Sequence, residues 1–211
     1  MNPGPTASTK AFAALKPIAF LLLWLALAAQ TLWTVSHHFR LHEPWSSMSY
    51  PLTYAAPFLL LALTYGRVRW IASLLRLPLA VAFLSAVCDR LGLLGAPGAP
   101  GVGWGDFAHF VHYTARVNSF MPAATIFPLA VLATVAETLF GVALLLGIRI
   151  PIVAFGSAVL LFFFATAMTI SGFSQFAYGV YLMAAGALAL STVDASLLSV
   201  DAFFKSRNHQ A

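Results

Sequence analysis

The sequence predicts an all-α integral membrane protein with about six transmembrane helices. Three observations carry that expectation. Of 211 residues, 61% are hydrophobic and only 8% are charged, where soluble domains carry about 25% charged residues; the mean hydropathy is +0.88. Apolar runs recur along the chain at roughly the 20-residue length that crosses a bilayer as a helix. The basic residues are scattered between those runs rather than gathered into a stripe. A chain this apolar cannot cover itself with polar side chains, so lipid is its expected solvent.

The first run, Pro17 to Ser36, follows Lys10 and Lys16. Ala26-Leu27-Ala28 resembles a signal-peptide cleavage site, but the apolar stretch continues through Leu32, Trp33 and Val35, long for a signal core. An intact span is the expectation. Pro44 to Gly66 contains no lysine or arginine and reads as a second span, its first turns weakened by Pro51 and Pro57 and its end closed by Arg67 and Arg69. A third span starts near Trp70 and runs through IASLLRLPLAVAFLSAVCDRLGLLG, with Arg76 near one end and Asp89-Arg90 near the other. The Gly/Pro-rich segment up to Gly105 will not hold a helix. Ile126 to Gly147 forms a fourth span interrupted by Glu137, and the uncharged stretch Ile150 to Val193 has room for two more, with SGFSQ (171–175) as their turn. The expected organisation is an N-terminal tail and hairpin over 1–66, a four-helix membrane domain over 67–195, and a polar tail over 196–211.

Lysine and arginine counts set the orientation. With the N-terminus inside, the inner side receives Lys10, Lys16, Arg67, Arg69, Arg76, Arg149, Lys205 and Arg207; the outer side receives Arg40, Arg90 and Arg116. Both termini are therefore expected in the cytoplasm of a cell with an inner membrane. No basic run suggests nucleic-acid binding. Cys88 is the only cysteine, which excludes an internal disulfide, a CxxC redox pair and a thiolate-held iron–sulfur cluster.

The most polar stretch, WGDFAHFVHYTARVNSFMP (104–122), falls on the outer side. Wound as a helix, it gathers Asp106, His109, His112, Tyr113, Arg116 and Ser119 on one arc and Phe107, Phe110, Val111 and Val117 on the other. This predicts an amphipathic outer helix near 105–120 that caps the bundle or lies at the interface. Its D-x-x-H-x-x-H spacing, with His37, His38 and His42 on the same side, admits a second reading as a zinc, copper or haem-iron site. A zinc protease would need H-E-x-x-H instead.

Glu137 stands near the middle of the fourth span, where an unpaired carboxylate costs several kcal/mol. It is either protonated or paired, and Arg90 or Arg76 on the third span is the expected partner. Arg90 is preferred, because Asp89, His109 and His112 would join it in one polar cluster. Gly141, one turn from Glu137, admits close approach of a helix or of a flat ligand.

Residues 69–190 resemble the DoxX family of small membrane proteins. The likeness rests on SLLRLPLAVAFLSAVCDRLGLLG, the Gly-rich loop, the helix ending in proline and the E-x-x-x-G-x-x-L-L-x-G pattern at Glu137, Gly141, Leu144, Leu145 and Gly147. The resemblance implies a four-helix core, here preceded by an extra two-span hairpin. It also implies association with membrane redox chemistry, some relatives being subunits of thiosulfate:quinone oxidoreductase. Arg76, Arg90, Glu137 and Gly141 match the family's polar and glycine positions, whereas GIRIPIV departs from it around Arg149.

Three functions follow as expectations. The first is a subunit of a quinone-linked oxidoreductase, with a membrane or periplasmic partner. In it Glu137 moves a proton, Arg90 sets its pKa, and His109 or His112 relays it to the outer surface, with Arg76 added to the site and Asp89, Tyr113, Arg116 and Gly141 as further binding residues. The second is a non-catalytic anchor or assembly factor, and the third is metal handling by the outer histidines. A homo-oligomer stays open. A solute carrier is disfavoured, because the chain has no inverted repeat.

Overall fold

The computed structural model describes residues 12–42 and 45–203. Seven helices form the frame: α1 Lys16–Leu41, α2 Trp45–Thr64, α3 Arg69–Arg90, α4 Phe107–Val117, α5 Ala123–Leu146, α6 Ile150–Ile170 and α7 Ser174–Ser191. Among the described residues there is no strand. In hydrocarbon every backbone polar group must be satisfied within its own segment, which leaves the helix as the solution for these apolar runs. Four of the helices, α1, α3, α5 and α6, are long and apolar enough to cross a membrane; α2 and α7 contribute the shorter apolar stretches Ala55–Thr64 and Phe176–Ser191. The outer skin is accordingly oily, with Leu32, Leu63, Leu132, Leu139 and Phe163 exposed.

Helix α3 stops at Arg90, and LGLLG beyond it forms turns rather than a further turn and a half of helix. Side-chain hydrogen bonds explain the stop: Asp89 turns its carboxylate to the following loop instead of to solvent.

The helices pack as two close pairs, α3 with α5 and α6 with α7, and α1 and α2 lie against α7. Small residues permit the close approaches. A Cβ added to Gly141 of α5 would lie 2.8 Å from Leu84 Cγ and 3.2 Å from Phe83 Cβ of α3. Gly141 is thus a position of close contact between α5 and α3. At Gly186 of α7 the intruder is Phe58 of α2, whose ring atoms Cδ1 and Cε1 would each be 2.2 Å from an added Cβ. Gly186→Ala is expected to destabilise by about 1–3 kcal/mol through overpacking. Gly179→Ala, which meets only Gln30 Oε1 at 3.9 Å, serves as the neutral control in thermal unfolding.

At the end of the bundle that holds the starts of α1 and α3, the chain after α7 folds back across the helix ends. Arg69 Nε pairs with Asp194 Oδ2 at 2.9 Å, Ser73 Oγ accepts from the Leu197 N–H at 3.1 Å, and Arg76 donates to the Leu198 carbonyl. The Arg149 N–H donates to Asp201 Oδ2 at 2.6 Å. Gly147 closes α5 in the left-handed region at φ +71°. A Cβ there would also collide with Arg76 Nη1 and with Ser199 Cβ, so both backbone and space demand glycine.

Candidate functional site

Between the α3–α5 and α6–α7 pairs lies a cavity of about 1000 Å³, open to the outside along Leu132 and Phe163. Two of its walls carry Phe83, Leu132, Phe163, Phe164, Met168 and Met183; Trp104, Phe110, Tyr113, Thr114 and Asn118 close the end toward α4. Arg90 and Glu137 are the only charged residues in its lining.

Arg90 reaches from the last turn of α3 to Glu137 near the middle of the 24-residue α5. Its Nη2 donates to Glu137 Oε2 at 2.8 Å and its Nη1 to Thr134 Oγ1 at 3.1 Å. Thr134 lies one turn before Glu137, so both acceptors stand on one face of α5. The guanidinium also lies over the Phe110 ring, 3.7 Å from its centroid, with the Trp104 ring at 5.2 Å. Arginine is suited to such a place: it is planar, weakly hydrated, and able to bond in its plane while stacking on its face. Both side chains are nearly sealed, at 2% and 4% exposure. Among the described residues nothing bonds Arg90 Nε, and Oε2 is the Glu137 oxygen that takes the bond.

Asp89, next to Arg90 in sequence, does different work. Its Oδ2 accepts from the Gly103 N–H at 2.8 Å and its Oδ1 from the Gly105 N–H at 3.0 Å, with the Trp104 N–H between them at 3.2 Å from Oδ2. Three successive N–H groups converging on one anion make a backbone nest. The nest ties the 91–106 loop to the end of α3 and so fixes Trp104 over Arg90.

Helix α4 is held at both ends. At its start Asp106 accepts from the His109 N–H at 2.8 Å, an N-cap bond, and also meets His109 Nδ1 at 2.8 Å. At its finish Ser171 Oγ donates to the Val117 carbonyl at 2.8 Å, and the Arg116 guanidinium lies over Phe173 at 5.2 Å. Phe110, Thr114 and Val117 are buried, while His109, His112 and Arg116 are exposed. The amphipathic expectation holds for these residues. Tyr113, expected on the titratable arc, is half-buried against Trp104 and Phe173; burial pushes its phenol above the ordinary value, while Arg116 pulls it the other way.

The sequence-derived site residues thus divide into three groups. Arg90 and Glu137 meet, as preferred. Asp89 faces the loop, and His109 pairs with Asp106 rather than with Arg90; His112 points outward on the exposed face of α4. Arg76 belongs to the opposite end of the bundle, where the Leu198 carbonyl takes its Nη2. Among the outer histidines, His37 stacks on Trp33 with centroids 4.2 Å apart, and among the described residues no three His, Cys, Asp or Glu side chains gather as a metal site would require. Sequence reasoning missed Trp104, Phe110 and Thr134 as partners of Arg90. Thr134 had a signal, one turn from the buried acid; the aromatic pair had none.

The Asp106 carboxyl is held below the ordinary carboxylate value, first by the His109 backbone N–H and then by its ring. Because the folded value is depressed, the cap contributes fully above the unfolded carboxylate range near 3.9 and is lost as pH falls through the folded value. Amide exchange in the first turn of α4 is therefore expected to be flat from pH 7 to 5 after correction for intrinsic rates and to rise below about pH 4. Asp106→Ala should show the raised exchange at every pH.

Comparison with protein families, with curated proteins and with solved structures finds no match for this chain.

Proposed function

We propose that the chain is a six-span membrane protein of DoxX-like architecture. In this reading its central cavity takes the headgroup of an isoprenoid quinone, in support of an oxidoreductase that supplies or withdraws the electrons. The observation that carries the reading is the cavity itself: apolar along its walls, and provided with one buried Arg–carboxylate pair and a half-buried phenol. Such a site suits a molecule with a greasy body and a small carbonyl-bearing head. Arg90 would donate to a quinone oxygen. Glu137, hydrogen-bonded to Arg90, would take up or release the proton that accompanies reduction, with Tyr113 as a neutral donor toward the outer surface. The two shorter helices α2 and α7 complete six crossings, with the end rich in lysine and arginine in the cytoplasm by the positive-inside rule.

The test is mass spectrometry of lipophilic molecules retained by gently purified protein, beside its Glu137→Gln variant. Retained quinone is expected with the wild type and about tenfold less with the variant, the factor that corresponds to ~1.4 kcal/mol. Bulk phospholipid alone in both preparations would refute a quinone site.

One observation favours a second reading, a non-catalytic anchor. Arg90 is engaged on three sides, by Glu137, Thr134 and Phe110, as a structural cross-brace between α3 and α5 would be. In that reading Glu137→Gln lowers thermal stability while quinone-dependent turnover of the assembled complex is unchanged.

A further inference from the structure

The opposite end of the bundle carries a second polar feature, unconnected with the cavity. Among the described residues there, Lys16, Arg67, Arg69, Arg76 and Arg149 face only two carboxylates, Asp194 and Asp201. Both are engaged. Asp194 holds Arg69 and accepts from the Ser196 hydroxyl; Asp201 accepts from the Arg149 backbone. The other acids among the described residues are engaged elsewhere: Asp89, Asp106 and Glu137 serve the loop, α4 and Arg90.

Among the described residues Lys16 and Arg67 have no acid as partner, and they share one platform. Lys16 Nζ lies 4.6 Å from the centroid of the Tyr65 ring and 5.7 Å from that of Phe20, and Arg67 Cζ lies 5.9 Å from the Tyr65 centroid. The two rings are themselves packed at 4.4 Å. Both cations thus rest on one ring, and they are of like sign. Two cations held together repel unless an anion lies between them.

The arrangement is built rather than incidental. Tyr65 and Gly66 turn the chain from α2 into α3 with φ of +50° and +61°. A Cβ on Gly66 would lie 2.3 Å from Val193 Cγ1 and 3.3 Å from Phe20 Cζ, so the turn is pressed onto the bundle and Tyr65 is delivered to Phe20. A positive φ is rare for a non-glycine residue, and at Tyr65 it accompanies the turn that sets the ring against Phe20. The same helix ends expose Ile18, Leu21, Leu63 and Trp70. An exposed tryptophan beside basic side chains at the end of apolar helices marks the headgroup level of a bilayer.

We infer that Lys16 and Arg67, seated on Tyr65 and Phe20, bind the phosphate of an anionic phospholipid in the leaflet at this end of the bundle. Arg67 supplies planar donors to the phosphate oxygens and Lys16 a point charge. The exposed apolar side chains of α1, α2 and α3 meet the acyl chains.

The test is native mass spectrometry of the full chain in mild detergent, supplied with phosphatidylglycerol or with phosphatidylcholine of the same chains. Wild-type protein is expected to retain phosphatidylglycerol preferentially. Arg67→Gln removes an exposed side chain without disturbing the core, and should weaken that retention about fivefold, each basic residue near an anionic surface contributing about 1 kcal/mol. Lys16→Gln should do the same, while the charge-preserving Arg67→Lys should keep most of it. Displacement of the lipid by millimolar inorganic phosphate would keep the phosphate site but assign it to a soluble anion. Equal retention of the two lipids, or retention unchanged in both glutamine variants, would overturn the inference.

Discussion

Glu137→Leu is expected to destabilise the protein by about 3–5 kcal/mol, the cost of breaking one side of a buried ion pair, measured as reversible unfolding in detergent. The loss comes less from the missing bond than from what it leaves behind. The Arg90 guanidinium is 2% exposed and would keep only Thr134 and two ring faces as partners. The double variant Arg90→Met, Glu137→Leu removes both charges and replaces them with apolar side chains of similar reach. It should recover most of the loss, because a buried pair exchanged for packed hydrophobes is often neutral or better. A double variant as unstable as the single one would mean that the pair orients α3 and α5 in a way packing cannot replace. The quinone reading adds a separate requirement: the recovered double variant must still fail to retain quinone.

Asp89→Ala carries the second large effect, felt locally. Its carboxylate gathers the Gly103, Trp104 and Gly105 N–H groups, and a hydrogen bond to a charged group is worth about 1.5–3 kcal/mol. Because the three bonds share one anion they are not additive, and roughly 3 kcal/mol of local stability is expected to go. Amide exchange across residues 96–117 should then rise by about two orders of magnitude, 1.4 kcal/mol being tenfold. Exchange in the cores of α6 and α7 should not change. A uniform rise across all helices would show that the nest supports the whole bundle instead of its outer mouth.

These two residues also mark how far the sequence could be read. That Glu137 needed a cation, and that Arg90 was the one to supply it, followed from the cost of a bare carboxylate in hydrocarbon and from the helical rise. The neighbouring Asp89 was grouped with the same cluster, but successive residues on a helix point about 100° apart. Adjacency in the chain therefore argued against a shared partner. Its true partners lie fourteen to sixteen residues on, in a loop whose path no periodicity describes. The amphipathic helix α4 was legible because one surface of it is buried, which imprints a 3.6-residue period on the side chains. The cavity was not, since it lies between two helix pairs far apart in the chain, and the residues lining it look in sequence like any other lipid-facing positions. Arg76 was equally hidden: it bonds a backbone carbonyl 122 residues away, and a carbonyl has no residue type to reveal it.

That last separation bears on how the protein is made. Helix α3, long and apolar enough to cross a membrane, carries Arg76 and Arg90 before their partners have been synthesised; both lie toward its ends, where an arginine opposes insertion by less than the about 2.5–3.5 kcal/mol it costs at mid-span. Arg90 waits 47 residues for Glu137, so α5 relieves it as soon as that hairpin closes. Arg76 waits until the segment after α7 has left the ribosome. Nascent chains arrested before residue 198 should therefore hold α3 less firmly in the membrane than the finished protein does, and ribosome-released truncations there should be the preferred substrates of membrane quality control.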